Sequence, residues 1–348
     1  MAAAIPIRNV FLLFCYAWDQ ARFGKAISVG ADDPPNFAHL LARALIEATR
    51  QLFRVGVERG YRETEEEVAG VRERIALAPS LPMIARRTQR LVCRFAEQSH
   101  DTAANRILKA GLNRLASIEG LHSGLSSDLH HLARYMHDVA DISLRPEAFR
   151  LIQIHRHTSR YDLILNLCRL IMDLEVPCTD GHGHRFADPL ADDALMARVF
   201  EGFVRNFWRL EAEGFSVKCG QVEIPWDATP ATRRHRHLPV MRADILVRTV
   251  DRRIIADTKY YREALVQHFS ASKLRSGHLY QLLAYLRNDA ATGTFPLPEG
   301  MLIYPAVAMH LDDRFRLEGH ELRVATVDLD QPWEKIGLQM QALLQRPQ

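Results

Sequence analysis

Cysteine is scarce in this chain, and none of it is paired in sequence. Cys15, Cys93, Cys168, Cys178 and Cys219 lie far apart with no CxxC spacing, which argues against a disulfide framework and a structural zinc site. No run approaches the roughly 18 apolar residues of a membrane span. The opening MAAAIPIRNVFLLFCYAWDQ is apolar, but it has no basic start and soon meets Asp19. It therefore reads as a buried helix rather than a signal peptide. An excess of one charge is missing too: 45 basic against 42 acidic residues leave +3, a total that neither demands nor excludes a polyanionic partner. The default expectation is a soluble protein of a reducing, cytoplasmic compartment with no membrane partner. Its 348 residues suit two domains.

Several chemical signatures are absent as well. There is no GxSxG and no Cys–His arrangement for acyl transfer. The 16 histidines include the pairs His155/His157 and His182/His184, and His130/His131 near His137. None has HExxH spacing, and no cysteine completes a zinc set. Gly24-Lys25 is the nearest approach to a phosphate-binding loop. Asp19 stands at its first glycine position and Ala26 where Ser or Thr is required, so nucleotide binding by this chain alone is not expected.

What is present falls into two textures. Residues 1–185 read as a mainly helical domain, with apolar residues at three- and four-residue spacing over Val10–Arg22, Phe37–Val55, Ala103–Ala116, Leu125–Ala140 and Tyr161–Leu174. A looser alternation in Tyr61–Val71, Arg72–Leu77 and Leu91–Phe95 predicts a few irregular strands. The Gly-, Pro- and Asp-rich segment Cys178–Asp193 marks the boundary. A second domain, residues 190–348, opens with an amphipathic helix over Ala194–Glu213. Strands follow over Ser216–Trp226, Arg242–Val250 and Arg253–Tyr260, the last two joined by a turn at Asp251–Arg252. A helix is predicted over Leu279–Leu286, beginning as early as Ser272, then a strand over Met301–Val307, a β-rich Glu321–Asp328 and a closing helix near Trp333–Leu344. The order is αβββαβ, a compact α/β domain following an α+β one.

One constellation carries chemistry. If Arg242–Val250 and Arg253–Tyr260 form a hairpin, Asp244 comes near Asp257. Side chains alternate along a strand, so Asp257 and Lys259 project to one face. Ile254, Ile255 and Ala256 make that strand apolar, and a carboxylate and an ammonium there cost several kcal/mol unless partnered. A divalent ion answers that need: Asp244, Asp257 and the backbone carbonyl of Thr258 offer the hard oxygens that Mg²⁺ prefers. Such an ion lowers the pKa of its bound water and offsets charge on a phosphorane-like transition state. Lys259 could position or deprotonate the water, or stabilise the developing charge. A lone Asp-x-Lys is usually a surface ion pair. Here it follows a strand carrying Asp244 and precedes a helix on which Gln281 and Tyr285, four apart, share a face. Arg233-Arg234-His235-Arg236-His237, between two of the predicted strands, reads either as a phosphate-contacting loop or as a solvated one.

The order D…DxK…QxxxY resembles the PD-(D/E)XK nuclease superfamily. Over nearly its whole length the chain also resembles the McrC family, nuclease subunits of McrBC modification-dependent restriction systems. IPIRNVFLLFCYAWD, HDTAANRILKAGL, ADILVRTVDRRIIADTKYY, LYQLLAYL and MLIYP carry that likeness. It implies metal-binding carboxylates at Asp244 and Asp257, a catalytic Lys259, and supporting roles for Gln281, Tyr285 and, in the preceding helix, Glu201. The proline of the superfamily's name is replaced by Ala243, away from the metal. The resemblance further implies a partner, an McrB-like AAA+ GTPase hexamer that binds the GTP and recognises modified cytosine in double-stranded DNA. The N-terminal domain would dock on that ring and stimulate GTP hydrolysis. Within it, Tyr61–Pro79 with Arg72 and Arg74 reads as a ring contact or as a solvated hairpin. Asn105 and Arg106 read as functional or as helix packing. The rival expectations for the whole chain are a catalytically silent regulator of an AAA+ ring and a stand-alone structure-specific nuclease.

Overall fold

The hairpin on which that reading turns is formed. β7 (Met241–Arg248) pairs antiparallel with β8 (Arg253–Thr258) in the register Leu246↔Ile255 and Ile245↔Ala256. The computed structural model describes residues 5–26, 36–150, 152, 160–177, 184–212, 215–233, 235–260, 276–307 and 310–345. His155, His157, His182, Cys178, Arg234 and the stretch from Ser272 to Arg275 lie outside the described residues, as does the side chain of Cys219. No described helix is long and apolar enough to cross a membrane.

The chain divides into two compact units, Met1–Leu40 with Ala187–Gln348, and Leu41–Phe186. The first forty residues thus group with the C-terminal half, not with the helical half to which the sequence assigned them. The reason lies in the apolar opening. The helix expected over Val10–Arg22 is two, α1 (Ile7–Ala17) and α2 (Ala21–Ala26), broken at Asp19 with φ 62°. In α1, residues 9–16 are all buried. Asn9 donates to the carbonyls of Leu329 and Gln331, at 2.8 Å each. Asn206 donates to the carbonyls of Tyr16 and Ala17.

The second unit holds α3 (Phe37–Val55, its first residues belonging to the other unit), β1 (Gly60–Ala69), β2 (Arg74–Ile75), α4 (Leu77–Ala85), β3 (Arg90–Ser99), α5 (Ala103–Ala116), α6 (Ser123–Tyr135), α7 (Pro146–Arg150), α8 (Asp162–Leu174), β4 (Glu175–Pro177) and β5 (His184–Phe186). The strands expected to be irregular are a regular ten-residue antiparallel pair, Gly60↔Ser99 through Ala69↔Arg90. α4 was not expected, and Pro82 lies inside it. Pro79 falls in the first turn, where an amide has no helical partner to lose.

The C-terminal part of the first unit runs α9 (Asp193–Glu211), β6 (Ser216–Ile224), a single turn α10 (Pro230–Arg233), β7, β8, α11 (Ser276–Ala290), β9 (Glu299–Ala306), β10 (Asp312–Leu317), β11 (His320–Asp328) and α12 (Trp333–Leu344). Six strands form one mixed sheet in the order β10-β11-β9-β8-β7-β6. β8 and β9 are parallel, as are β9 and β11. α11 lies on the sheet, with Leu282, Tyr285 and Leu286 packed against Ile255, Leu302 and Tyr304. Gly300 permits that approach: a Cβ there would meet Leu282 and Leu286 at 2.9 Å. α12 has no basic residue in its last turn. Arg323 and Arg252 supply that charge from the sheet, donating to the Leu343 and Leu344 carbonyls while held bidentate by Asp312 and Glu299.

Candidate active site

The ladder between β7 and β8 stops at Ile245↔Ala256, and the candidate residues begin there. In place of the next backbone bond, the Asp244 carboxylate accepts from the Thr258 amide at 2.8 Å and from its hydroxyl at 3.0 Å. On the other side β8 stays paired with β9, through Asp257↔Leu302 and Thr258↔Ile303, and the Lys259 amide donates to the Ile303 carbonyl at 2.9 Å. One edge of β8 is thus held while the other opens, so both carboxylates sit at the end of a rigid sheet.

Asp257 is 2% exposed. Its Oδ2 lies 2.5 Å from Lys259 Nζ as an ion pair. Burial, and then the neighbouring Asp244 charge, push its pKa up to about 6, against the pull of Lys259. Lys259 Nζ donates to Gln281 Oε1 at 3.1 Å, Gln281 Nε2 to Tyr285 Oη at 2.7 Å, and Tyr285 Oη to the Arg242 carbonyl at 2.8 Å. The Gln-x-x-x-Tyr pair is therefore a relay that fixes the lysine from α11 and ends on β7. Glu201 of α9 is half-buried and pairs with Arg205 at 3.2 Å. Burial raises its pKa first, followed by the charge of Asp244 and, less strongly, that of Asp257. The carboxylates of three elements thus feel one another.

Among the described residues no three His, Cys, Asp or Glu side chains converge as a ready-made metal cluster. The donor set still fits a hard cation. The Asp257 carboxylate is buried, the charge of Asp244 raises its proton affinity, and Thr258 is the last residue of the same strand. A cation held by one or two carboxylates and water is what Mg²⁺ ordinarily accepts.

Other residues singled out in the sequence have structural work. Gly24 packs inside α2 against Cys15, and Lys25 pairs with Glu211 at 2.7 Å, which accounts for both without a phosphate. Asn105 is fully buried: it donates to the carbonyls of Glu58 and His100 and accepts from Tyr161. Thr102 caps α5 through the Asn105 amide, and Arg106 grips Asp101 with two bonds of 2.6 Å. Arg72 stacks over Phe95, 3.8 Å from the ring centre. His184 pairs with Glu175 at 2.8 Å. The sequence reading missed Asn288 and Trp226, which anchor the β6–β7 loop. Asn288 lies three residues beyond Tyr285, and that spacing was the available signal.

A family model described as "McrBC 5-methylcytosine restriction system component" matches residues 10–305. A relative from Escherichia coli K12, the "Type IV methyl-directed restriction enzyme EcoKMcrBC", is 28% identical over 335 residues, covering 94% of each chain. Among solved structures, one of a tetradecameric assembly of Thermococcus gammatolerans McrB AAA+ hexamers with bound McrC matches with a TM-score of 0.62. It is 15% identical and covers 97% of this chain and 75% of that one, a likeness of fold.

Proposed function

The chain belongs to the family of McrBC 5-methylcytosine restriction system components, and we propose that it is the endonuclease subunit of such a system. On this reading the sheet unit is a PD-(D/E)XK nuclease core. It hydrolyses phosphodiester bonds in DNA containing modified cytosine when assembled with an McrB-like AAA+ GTPase. The unit Leu41–Phe186 contributes the docking surface on that ring and stimulates its GTP hydrolysis. The observation that carries the nuclease reading is the pair of buried Asp257 and half-buried Lys259 beside Asp244, with the lysine held through Gln281 and Tyr285. A surface ion pair is worth little and is rarely braced, whereas this one occupies the end of a core strand and is tied to a helix.

Asp244, Asp257 and the Thr258 carbonyl would hold Mg²⁺, which supplies an activated water and neutralises charge on the phosphoryl oxygens. The protein's own part is positioning. Gln281 Oε1 accepts one hydrogen bond from the Lys259 ammonium, which turns the rest of that group toward Asp257 and the open strand end. Thr258 fixes Asp244 by two bonds, so its second oxygen keeps its orientation. Glu201 adds negative potential at the same end.

The test is Lys259→Ala, assembled with its purified AAA+ partner. Cleavage of modified DNA is expected to fall by about 10²- to 10⁴-fold, with stimulation of GTP hydrolysis retained. Cleavage at the wild-type rate would show the site to be elsewhere. A wild-type complex that stimulates GTP hydrolysis but never cuts with Mg²⁺ would favour the silent regulator instead.

A further inference from the structure

The loop between β6 and β7 carries a charge that the site does not use. From Trp226 to Met241 its only acidic residue is Asp227, against Arg233, Arg234 and Arg236. The side chains of Arg233, His235, Arg236 and His237 are exposed, and among the described residues neither Arg233 nor Arg236 is paired with a carboxylate.

The described residues of this loop are held by hydrogen bonds. Trp226 Nε1 donates to the Pro239 carbonyl at 2.7 Å and closes its neck. The Asp227 amide donates to Asn288 Oδ1 of α11 at 2.7 Å. Inside, Arg233 N bonds the Thr229 carbonyl at 2.9 Å, His235 N that of Thr232 at 3.0 Å, and Leu238 N that of His235 at 2.9 Å. Arg236 spends one donor on His237 Nε2 at 3.0 Å. A segment so constrained loses little further freedom on binding. Its place is equally specific. The loop enters β7 at Met241, three residues before Asp244, and the Arg242 carbonyl at its base receives Tyr285 Oη.

Resting on the nuclease reading above, we infer that Arg233 and Arg236 grip the phosphate backbone of the DNA duplex beside the scissile bond. Phosphate contacts set register without reading bases. The loop therefore contributes affinity on any sequence, and selection for the modified base lies elsewhere.

The experiment compares two charge-matched variants in the assembled complex, cutting modified-cytosine duplex across a salt series. Arg233→Gln/Arg236→Gln is expected to raise KM for DNA several-fold with kcat little changed. It should flatten the slope of log(1/KM) against log salt by about 1.8, or about 0.9 for each phosphate that an arginine ceases to neutralise. Arg314→Gln/Arg316→Gln removes the same charge from β10, beside the Arg252 end of the sheet, and should leave KM and slope unchanged. Equal shifts in both variants would reduce the effect to net charge, and no shift in the loop variant would remove the phosphate grip; either overturns the inference. Lys259→Ala in the same assay separates the two claims. If it still cuts, the site assignment fails while the KM comparison still reads the loop. If it is dead and the loop variant behaves as wild type, the site stands and the loop's role falls.

Discussion

Asp257 holds its proton to higher pH than an ordinary aspartate, and the sign of that shift has a measurable consequence. In the unfolded chain an aspartate gives up its proton near pH ~3.9, whereas in the folded, metal-free chain Asp257 keeps it to about pH 6. Between those values the native state binds more protons than the unfolded one, so stability falls as pH rises through that window. Asp257→Asn cannot titrate there. The thermal midpoint of the variant minus that of the wild type, measured in chelator, should therefore climb from about pH 4 to about pH 6 and then level off. A flat or falling difference would mean that the Lys259 ion pair outweighs burial and Asp244. At this scale much was legible from spacing alone: Asp-x-Lys on an apolar strand forces two charges onto one buried face. The two bonds from Thr258 to Asp244 were not legible, because they exist only where the β7–β8 ladder gives out. Asn105 was left open between function and helix packing, and the structure favours packing. Its motif-like setting suited function, but a buried amide that ties Glu58, His100 and Tyr161 together needs no ligand to explain it.

Elements set the tolerances of the site, and α11 is the one with least slack. Gln281 reaches Lys259 only because the helix beds down on Gly300. Leu282 and Leu286 are both fully buried, so they have little room to yield to a methyl group. Gly300→Ala is expected to cost about 1–3 kcal/mol of stability, as overpacked cores do. It should also lower kcat by lifting Gln281 from the lysine, with GTPase stimulation untouched. Denaturant melts and single-turnover cleavage test the two effects separately; a destabilised variant with unaltered cleavage would show that the relay does not govern Lys259. The sequence foretold elements wherever burial imposes a period. α9, β7, β8, β9 and α12 all follow the expected segments to within two residues or so at most ends. It missed β10, whose DDRFRL is an edge strand with almost no buried side chain, and so carries no apolar alternation to see. It missed α4, a nine-residue helix with Pro79 in its first turn and Pro82 in its interior, where proline is ordinarily unfavourable.

At the scale of the whole molecule, the unit that carries the six-stranded sheet is discontinuous in sequence, and that is the largest departure from a linear reading. A boundary at a Gly/Pro-rich stretch is reasonable where neighbours in sequence are also neighbours in space, but here α1 returns to α9. Tyr16 lies 5.7 Å from Phe203, 5.4 Å from Phe207 and 5.4 Å from Trp333, ring centre to ring centre. A Cβ on Gly202 would come within 2.9 Å of Ala17, so the two helices touch along their backbones. The buried apolar side chains of α1, at about 1.5–3 kcal/mol each, sum to on the order of 10 kcal/mol, comparable with the ~5–15 kcal/mol stability of a whole domain. A fragment beginning at residue 190 should consequently lack a cooperative melt and bind a hydrophobic dye, as a collapsed but unpacked state does. Fusing residues 5–26 to residues 187–348 through a flexible linker should restore a single sharp transition, because Asn9 regains Leu329 and Gln331 and the aromatic cluster closes. Calorimetry of the two fragments decides the matter. Cooperative unfolding of the shorter one, at the midpoint of the longer, would show that α1 is a passenger and that the boundary read from the sequence was the physical one.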